Sequence, residues 1–270
     1  MVADSAFQAV EETGWRRGFA NLFRKETRAW WGTRRWLVQS LLWTLVVNGF
    51  TALVVSAMPL QAQMMGSPEP GPSELVTTGA QMLFQIGILA LAIGAIILVQ
   101  DEIIGERQMG VTEWLLSKPV SRSAYVLSKL LAHALGVLVI LVGLQGALGY
   151  GLLSLIVGEP FPLPGYLVGV AGLAAHTLFY LALTLMMGVL TTSQGALLGA
   201  SLGVLLGGML VSRYMGKFIM LTPWSLGNVL PAPVLGIPLP VSIWLPIGVT
   251  AILSVICVGV TLVRFERLEF

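Results

Sequence analysis

Charge is what this sequence has least of: only 10% of its 270 residues are Asp, Glu, Lys or Arg, while 56% are hydrophobic. Mean hydropathy is +0.86. Soluble domains carry roughly 25% charged residues, so the chain is expected to be an integral membrane protein. Its one cysteine, Cys257, lies inside an apolar run, which excludes a disulfide within a protomer and a cysteine metal site. No G-x-x-x-x-G-K-[ST] phosphate loop, no H-E-x-x-H and no nucleophile paired with a base is present. The chain is therefore not expected to be an enzyme, and it has no cofactor of its own. With Lys129 counted to a loop, no Asp, Glu, Lys or Arg falls inside a predicted span, which disfavours coupling to protons or sodium. His133 and His176 have no acid near them in sequence and read as side chains satisfied by helix neighbours; no metal site is assigned.

What is present is a set of long apolar runs. Six spans are predicted near residues 36–58, 80–100, 126–157, 166–190, 194–212 and 241–263. Each can cross a hydrocarbon core of about 30 Å at about 1.5 Å per residue. The fold class is all-α integral membrane, with residues 1–35 as an N-terminal segment and 36–270 as a single six-span domain. The first run begins after some 35 polar or mixed residues and is about twice a signal-peptide core, so cleavage is not expected. Ahead of it, Trp15, Phe19, Leu22, Phe23 and Trp30 fall at helical spacing opposite Arg16, Arg17, Arg24, Lys25 and Arg28. This predicts a basic amphipathic helix among lipid headgroups, with Glu26 an unexplained break in its apolar face. Tryptophan and phenylalanine at that density speak against a nucleic-acid partner.

Of the 15 bases, all but Arg213 and Lys217 fall before the first span, between the second and third, or after the sixth. The excess of Lys and Arg places both termini and the second-to-third loop in the cytoplasm of a multi-pass protein of the cell (inner) membrane. Between the fifth and sixth spans, residues 214–240 are apolar but broken by Pro223, Pro231, Pro233, Pro238 and Pro240. A straight span is excluded there, and either a re-entrant or a surface-lying segment fits. Gly195, Gly199, Gly203 and Gly207 recur every fourth residue of the fifth span, a smooth face for close helix packing, within a protomer or across a dimer.

One island of charge interrupts the apolar runs. Residues 101–129 hold Asp101, Glu102, Glu106 and Glu113 with Arg107, Lys118, Arg122 and Lys129. Ile104, Val111, Trp114 and Leu115 recur at helical intervals, and Glu102, Glu106 and Glu113 share another face if the helix runs on through Gly110. Glu102 with Glu106, and Lys118 with Arg122, are like-charge pairs at i,i+4, each worth about 0.2–0.5 kcal/mol of destabilisation on an isolated helix. A partner surface of complementary charge would reverse that sign, although charge runs are often only solvated. Pro119 ends this helix, and Ser121 or Ser123 caps the next.

The pattern E-R-x-x-G-V-T-E-W-L-L-S-x-P-V-S-R-x-x-Y-V-x-S-K, Glu106 to Lys129, resembles the segment after the second span of ABC transporter permeases of the type-2 exporter superfamily. The resemblance implies that 101–124 is a coupling helix docking on a separate ATP-binding subunit, through Glu102, Glu106, Arg107, Val111, Glu113, Trp114, Leu115, Leu116 and Arg122. It also implies an elbow helix before the first span, a second permease copy, identical or similar, and export powered by ATP and Mg in the partner. Gln81, Phe84 and Gln85 of the second span then line a translocation path. The alternative is a membrane anchor or assembly factor that keeps the docking loop and moves nothing.

Overall fold

The computed structural model describes residues 14–239 and 242–268, Trp15 without its side chain; Pro240 and both chain ends lie outside the described residues. Among these residues every regular element is helical. Helix α1 (Phe19–Trp31) starts after Gly18, whose φ of 80° is the left-handed conformation glycine adopts without strain. Six longer helices follow, all long and apolar enough to cross a membrane: α2 (Arg35–Met65), α3 (Pro72–Val99), α6 (Arg122–Val157), α7 (Leu163–Leu190), α8 (Gln194–Ser212) and α11 (Trp244–Glu266). Between α3 and α6 lie the short helices α4 (Ile104–Gln108) and α5 (Val111–Leu116). Between α8 and α11 lie α9 (Leu226–Val229) and α10 (Pro231–Val234).

Helices α3 and α7 form the centre, with α6 and α11 against them. Their buried stripes are small or branched: Ala80, Leu83, Ile88, Leu91 and Ala95 on α3, Leu173, Leu181 and Leu185 on α7. Hydrocarbon provides no hydrophobic drive between helices, so close packing has to hold them, and small residues permit it. Leu41, Leu45 and Leu53 on α2, and Ile252 and Val255 on α11, stand outward from the bundle.

Two spans contain π turns, Thr44–Gly49 in α2 and Val137–Leu144 in α6. The wider winding frees backbone carbonyls inside an apolar core, where each must find a donor. Gln145 supplies one, its amide donating to the Ile140 carbonyl at 3.2 Å, and Asn48 donates to the Gln145 side-chain oxygen at 2.9 Å. The two irregular turns are thus stitched together by the polar residues that accompany them.

Helix α1 is more than a headgroup anchor. Leu22, Glu26 and Trp30, four residues apart, are buried against α6, while Phe19 and Phe23 stack on each other at 5.7 Å along another side. Two apolar faces therefore exist where one was read. Trp30 is fully buried, and a Cβ on Gly136 of α6 would sit 2.6 Å from its ring. Gly136→Leu should overpack this contact and destabilise the chain by about 1–3 kcal/mol, seen as a lower urea midpoint in detergent with earlier proteolysis at α1.

The proline-rich stretch folds back into the bundle. Leu226, Leu230 and Val234 are buried against α3 and α7, and a Cβ on Gly172 of α7 would collide with the Leu230 side chain. Pro223 and Pro231 each open a short helical turn, where a missing backbone N–H does no harm. The sixth span begins at Trp244, three residues later than its hydropathy suggested.

Candidate functional site

At the end of the bundle that carries both described chain ends, a buried lysine organises the charged island. Lys129 lies inside α6, not in a loop, and is 1% exposed. Its ammonium faces three carboxylates, Glu102 at 3.1 Å, Glu26 at 3.2 Å and Glu106 at 3.2 Å. An isolated buried ammonium is costly, and paired hydrogen-bonded carboxylates offset that cost. Each carboxylate is engaged again. Lys25 donates to Glu106 at 2.8 Å and Tyr125 donates to its other oxygen at 2.7 Å. Glu102 meets His133 at 3.0 Å, and the Arg35 guanidinium lies 3.7 Å from it. Arg35 also donates to the Leu98 carbonyl at 2.9 Å and lies over the Trp30 ring.

Three expectations are corrected here. Glu26 breaks the apolar face of α1 because it is a counter-ion of Lys129. Glu102 and Glu106 are not unsatisfied like charges awaiting an outside partner; their partners come from α1, α2 and α6. His133 does have an acid beside it, with its other ring nitrogen 2.9 Å from the Lys129 carbonyl. Burial alone would raise the Glu106 carboxyl, but the Lys129 ammonium, the Lys25 bond and the Tyr125 hydroxyl outweigh it and hold the group below its ordinary value. Partial burial would lower Lys25, and its bond to Glu106 with the Glu26 charge raises it instead.

This clamp fixes the loop between α3 and α6 to α1. Helix does not run through Gly110, whose φ is +68°, so α4 and α5 turn sharply and Glu113 leaves the side of Glu102 and Glu106. Thr112 and Tyr125 hydroxyls approach to 3.3 Å, pinning α5 on α6, and Ser121 caps α6 by accepting from the Ala124 amide at 3.0 Å. Gln194 at the start of α8 donates to Asp101. Of the residues assigned to docking, Glu113 and Trp114 are exposed, Arg107 and Val111 are half-buried, and Leu115 and Leu116 pack partly against the core. Arg122 donates to the carbonyls of Glu266 and Leu268, holding the end of α11 to the start of α6. Trp114 is 63% exposed with the Lys118 ammonium 5.2 Å from its ring centre, and Met109, missed in the sequence, is 70% exposed beside Gly110. A methionine before the glycine that splits the helix was the available signal.

Elsewhere, α3, α7, α8 and the Trp224–Asn228 stretch line a half-open cavity of about 610 Å³. Gln85 lines it; Phe84 turns into the core, edge-on to Tyr166 at 5.8 Å, because Gly169 leaves room for its ring; Gln81 is exposed one turn away. Nδ1 of His176, in the cavity wall, has no hydrogen-bond partner, contrary to the satisfied side chain read from sequence. The glycine stripe of α8 is open: nothing lies within 4 Å of a Cβ built on Gly195, Gly199, Gly203 or Gly207. No helix among the described residues covers it.

These features belong to a multi-pass bundle whose charged loop is braced from three helices and whose centre holds a cavity. No curated protein matches the chain. A model of the ABC-2 family transporter protein, however, matches residues 20–270, from α1 through all six long helices, and the chain belongs to that family: it is an ABC-2 type permease.

Proposed function

We propose that this chain is the membrane half of an ATP-driven exporter, working as a pair of permeases with two separate ATP-binding subunits that supply ATP and Mg. Family membership implies the ATP-binding partner; its direction of transport, the pairing and the docking surface are inferences. The observation that carries the reading is the exposed pair Met109 and Trp114 on a loop clamped by Lys129, since a large apolar surface on a rigid charged loop fits a partner that buries it. Closure of the ATP-binding subunits would pull on α4 and α5, and the ion clamp would pass the displacement to α1 and α6 together. The excess of bases at that end argues for its being cytoplasmic, with both termini, in the cell membrane.

The open glycine stripe is the surface offered for pairing. Gly199→Leu with Gly203→Leu should leave the protomer's thermal stability within about 0.5 kcal/mol, because no neighbour is displaced, and shift the detergent-solubilised protein toward monomer in light scattering. In vesicles, turnover by the ATP-binding subunit should respond to permease and to candidate substrates. A complex that forms and hydrolyses ATP with no such response would favour the anchor.

A further inference from the structure

The cavity extends from the end of α8 to the middle of the bundle. Arg213 follows the last residue of α8, and His176 lies 13 residues into the 28-residue α7, near its midpoint. Between them the wall is Leu206, Met209 and Leu210, with Ile88 and Leu89 opposite. Seven residues of helix separate Leu206 from Arg213, about 10 Å at 1.5 Å per residue. The slot is therefore longer than a compact ring system requires. Of its polar lining, Ser212 adjoins Arg213 at the end of α8, Asn228 lies in the stretch that follows Trp224, and Gln85 stands 13 residues into the 28-residue α3, near its midpoint. No residue lining it is acidic. Among the described residues Arg213 has no carboxylate within ion-pair distance, and Lys217, four residues on, is the other base at this end.

An apolar slot closed by a free base discriminates among ligands. A cationic amphiphile meets repulsion from Arg213 and finds no counter-ion. A zwitterion brings its own cation to the same place. An anion with a hydrocarbon chain satisfies both ends, since its head pairs with the guanidinium and its chain fills the leucine-lined slot. The volume of about 610 Å³ lies inside the range of small-molecule sites, roughly 300–1,000 Å³.

We propose that this cavity binds an anionic amphiphile, head at Arg213 and chain directed toward His176. The inference rests on the permease reading above for the cavity's use in transport, but binding itself is separable from it. Trp224 lines the cavity and donates to the Tyr180 hydroxyl at 3.2 Å, so its fluorescence, taken as the difference between wild type and Trp224→Phe to remove the other seven tryptophans, reports occupancy. The full chain alone, in nanodiscs, is titrated with brominated phosphatidylglycerol or brominated phosphatidylcholine at equal mole fraction. Tryptophan quenching should show about a five-fold preference for phosphatidylglycerol, the weight of one base near a membrane surface. Arg213→Gln, at an exposed position, should abolish the preference that wild type shows in excess of the α1 bases. Leu206→Phe, which narrows the slot, should reduce quenching by both lipids. Water-soluble dodecyl phosphate then separates the sources: relief of quenching marks a site open to free anionic amphiphiles, and no relief marks a bilayer phospholipid. Equal quenching by the two lipids, or a preference unchanged in Arg213→Gln, overturns the proposal. Because no ATP-binding subunit is present, failure of ATP coupling leaves this result standing, and failure here with coupling intact removes only the ligand assignment.

Discussion

Lys129→Met should destabilise the chain by about 3–5 kcal/mol, the loss expected when one partner of a buried ion cluster is removed. The methionine keeps the stem of the side chain and deletes only the charge, so packing on α6 is nearly conserved. Glu26, Glu102 and Glu106 then face one another around an uncharged group, with Lys25 and Arg35 left to neutralise them from one side each and His133 in hydrogen-bond contact with Glu102. Glu106 adds a signature in pH. Its pKa is held below the reference 4.5, so its contribution is present above that value and is lost as pH falls through the lower folded value. Lys129 is the leading favourable cause of that depression. The deficit of Lys129→Met should therefore be largest near neutral pH and shrink as the carboxylates take up protons. Urea unfolding in detergent at pH 7 and at about pH 3, below the ordinary carboxylate value, measures both. A deficit that is the same at the two pH values would mean that lost packing, not uncompensated charge, explains it.

Trp114→Ala should behave in the opposite way, leaving the protomer intact and weakening its complex with the ATP-binding subunit about 30-fold, or roughly 2 kcal/mol. The ring touches little in its own chain beyond the Lys118 ammonium, so its removal exposes no core. Stability should stay within about 0.5 kcal/mol of wild type. Leu116→Ala is the contrast. That side chain packs partly against the core, so truncation should lower stability before it alters docking. Affinity measured by surface-immobilised permease in nanodiscs, alongside unfolding midpoints, separates the two substitutions.

The spans, the broken segment after α8 and the helical character of the loop were legible because each follows from local composition and period, whereas the break of that loop into two helices at Gly110 was not read. The ion clamp was not. Helical spacing compares a charge with its neighbours three or four positions away, whereas Lys25 reaches Glu106 across 81 residues and Lys129 reaches Glu26 across 103. Glu26 looked like a flaw in an amphipathic face for that reason. The π turns were equally hidden, although Asn48 and Gln145, lone polar residues in apolar runs, were their trace. The glycine period announced a packing face without saying whose helix it receives, and the open stripe shows only that no described helix of the same chain occupies it. Phe84 and Gln85 are adjacent in sequence, and a rotation of about 100° per residue sends one ring to the core and one amide to the cavity.

The central claim is that the clamped loop presents Trp114 to a motor subunit, and a photoreactive benzophenylalanine placed at position 114 in intact cells tests it most directly. Irradiation should yield a covalent adduct to a chain whose peptides include a G-x-x-x-x-G-K-[ST] loop, and Lys129→Met should diminish it. Adducts to lipid alone, or labelling of position 114 by a membrane-impermeant reagent added outside the cell, would contradict the account.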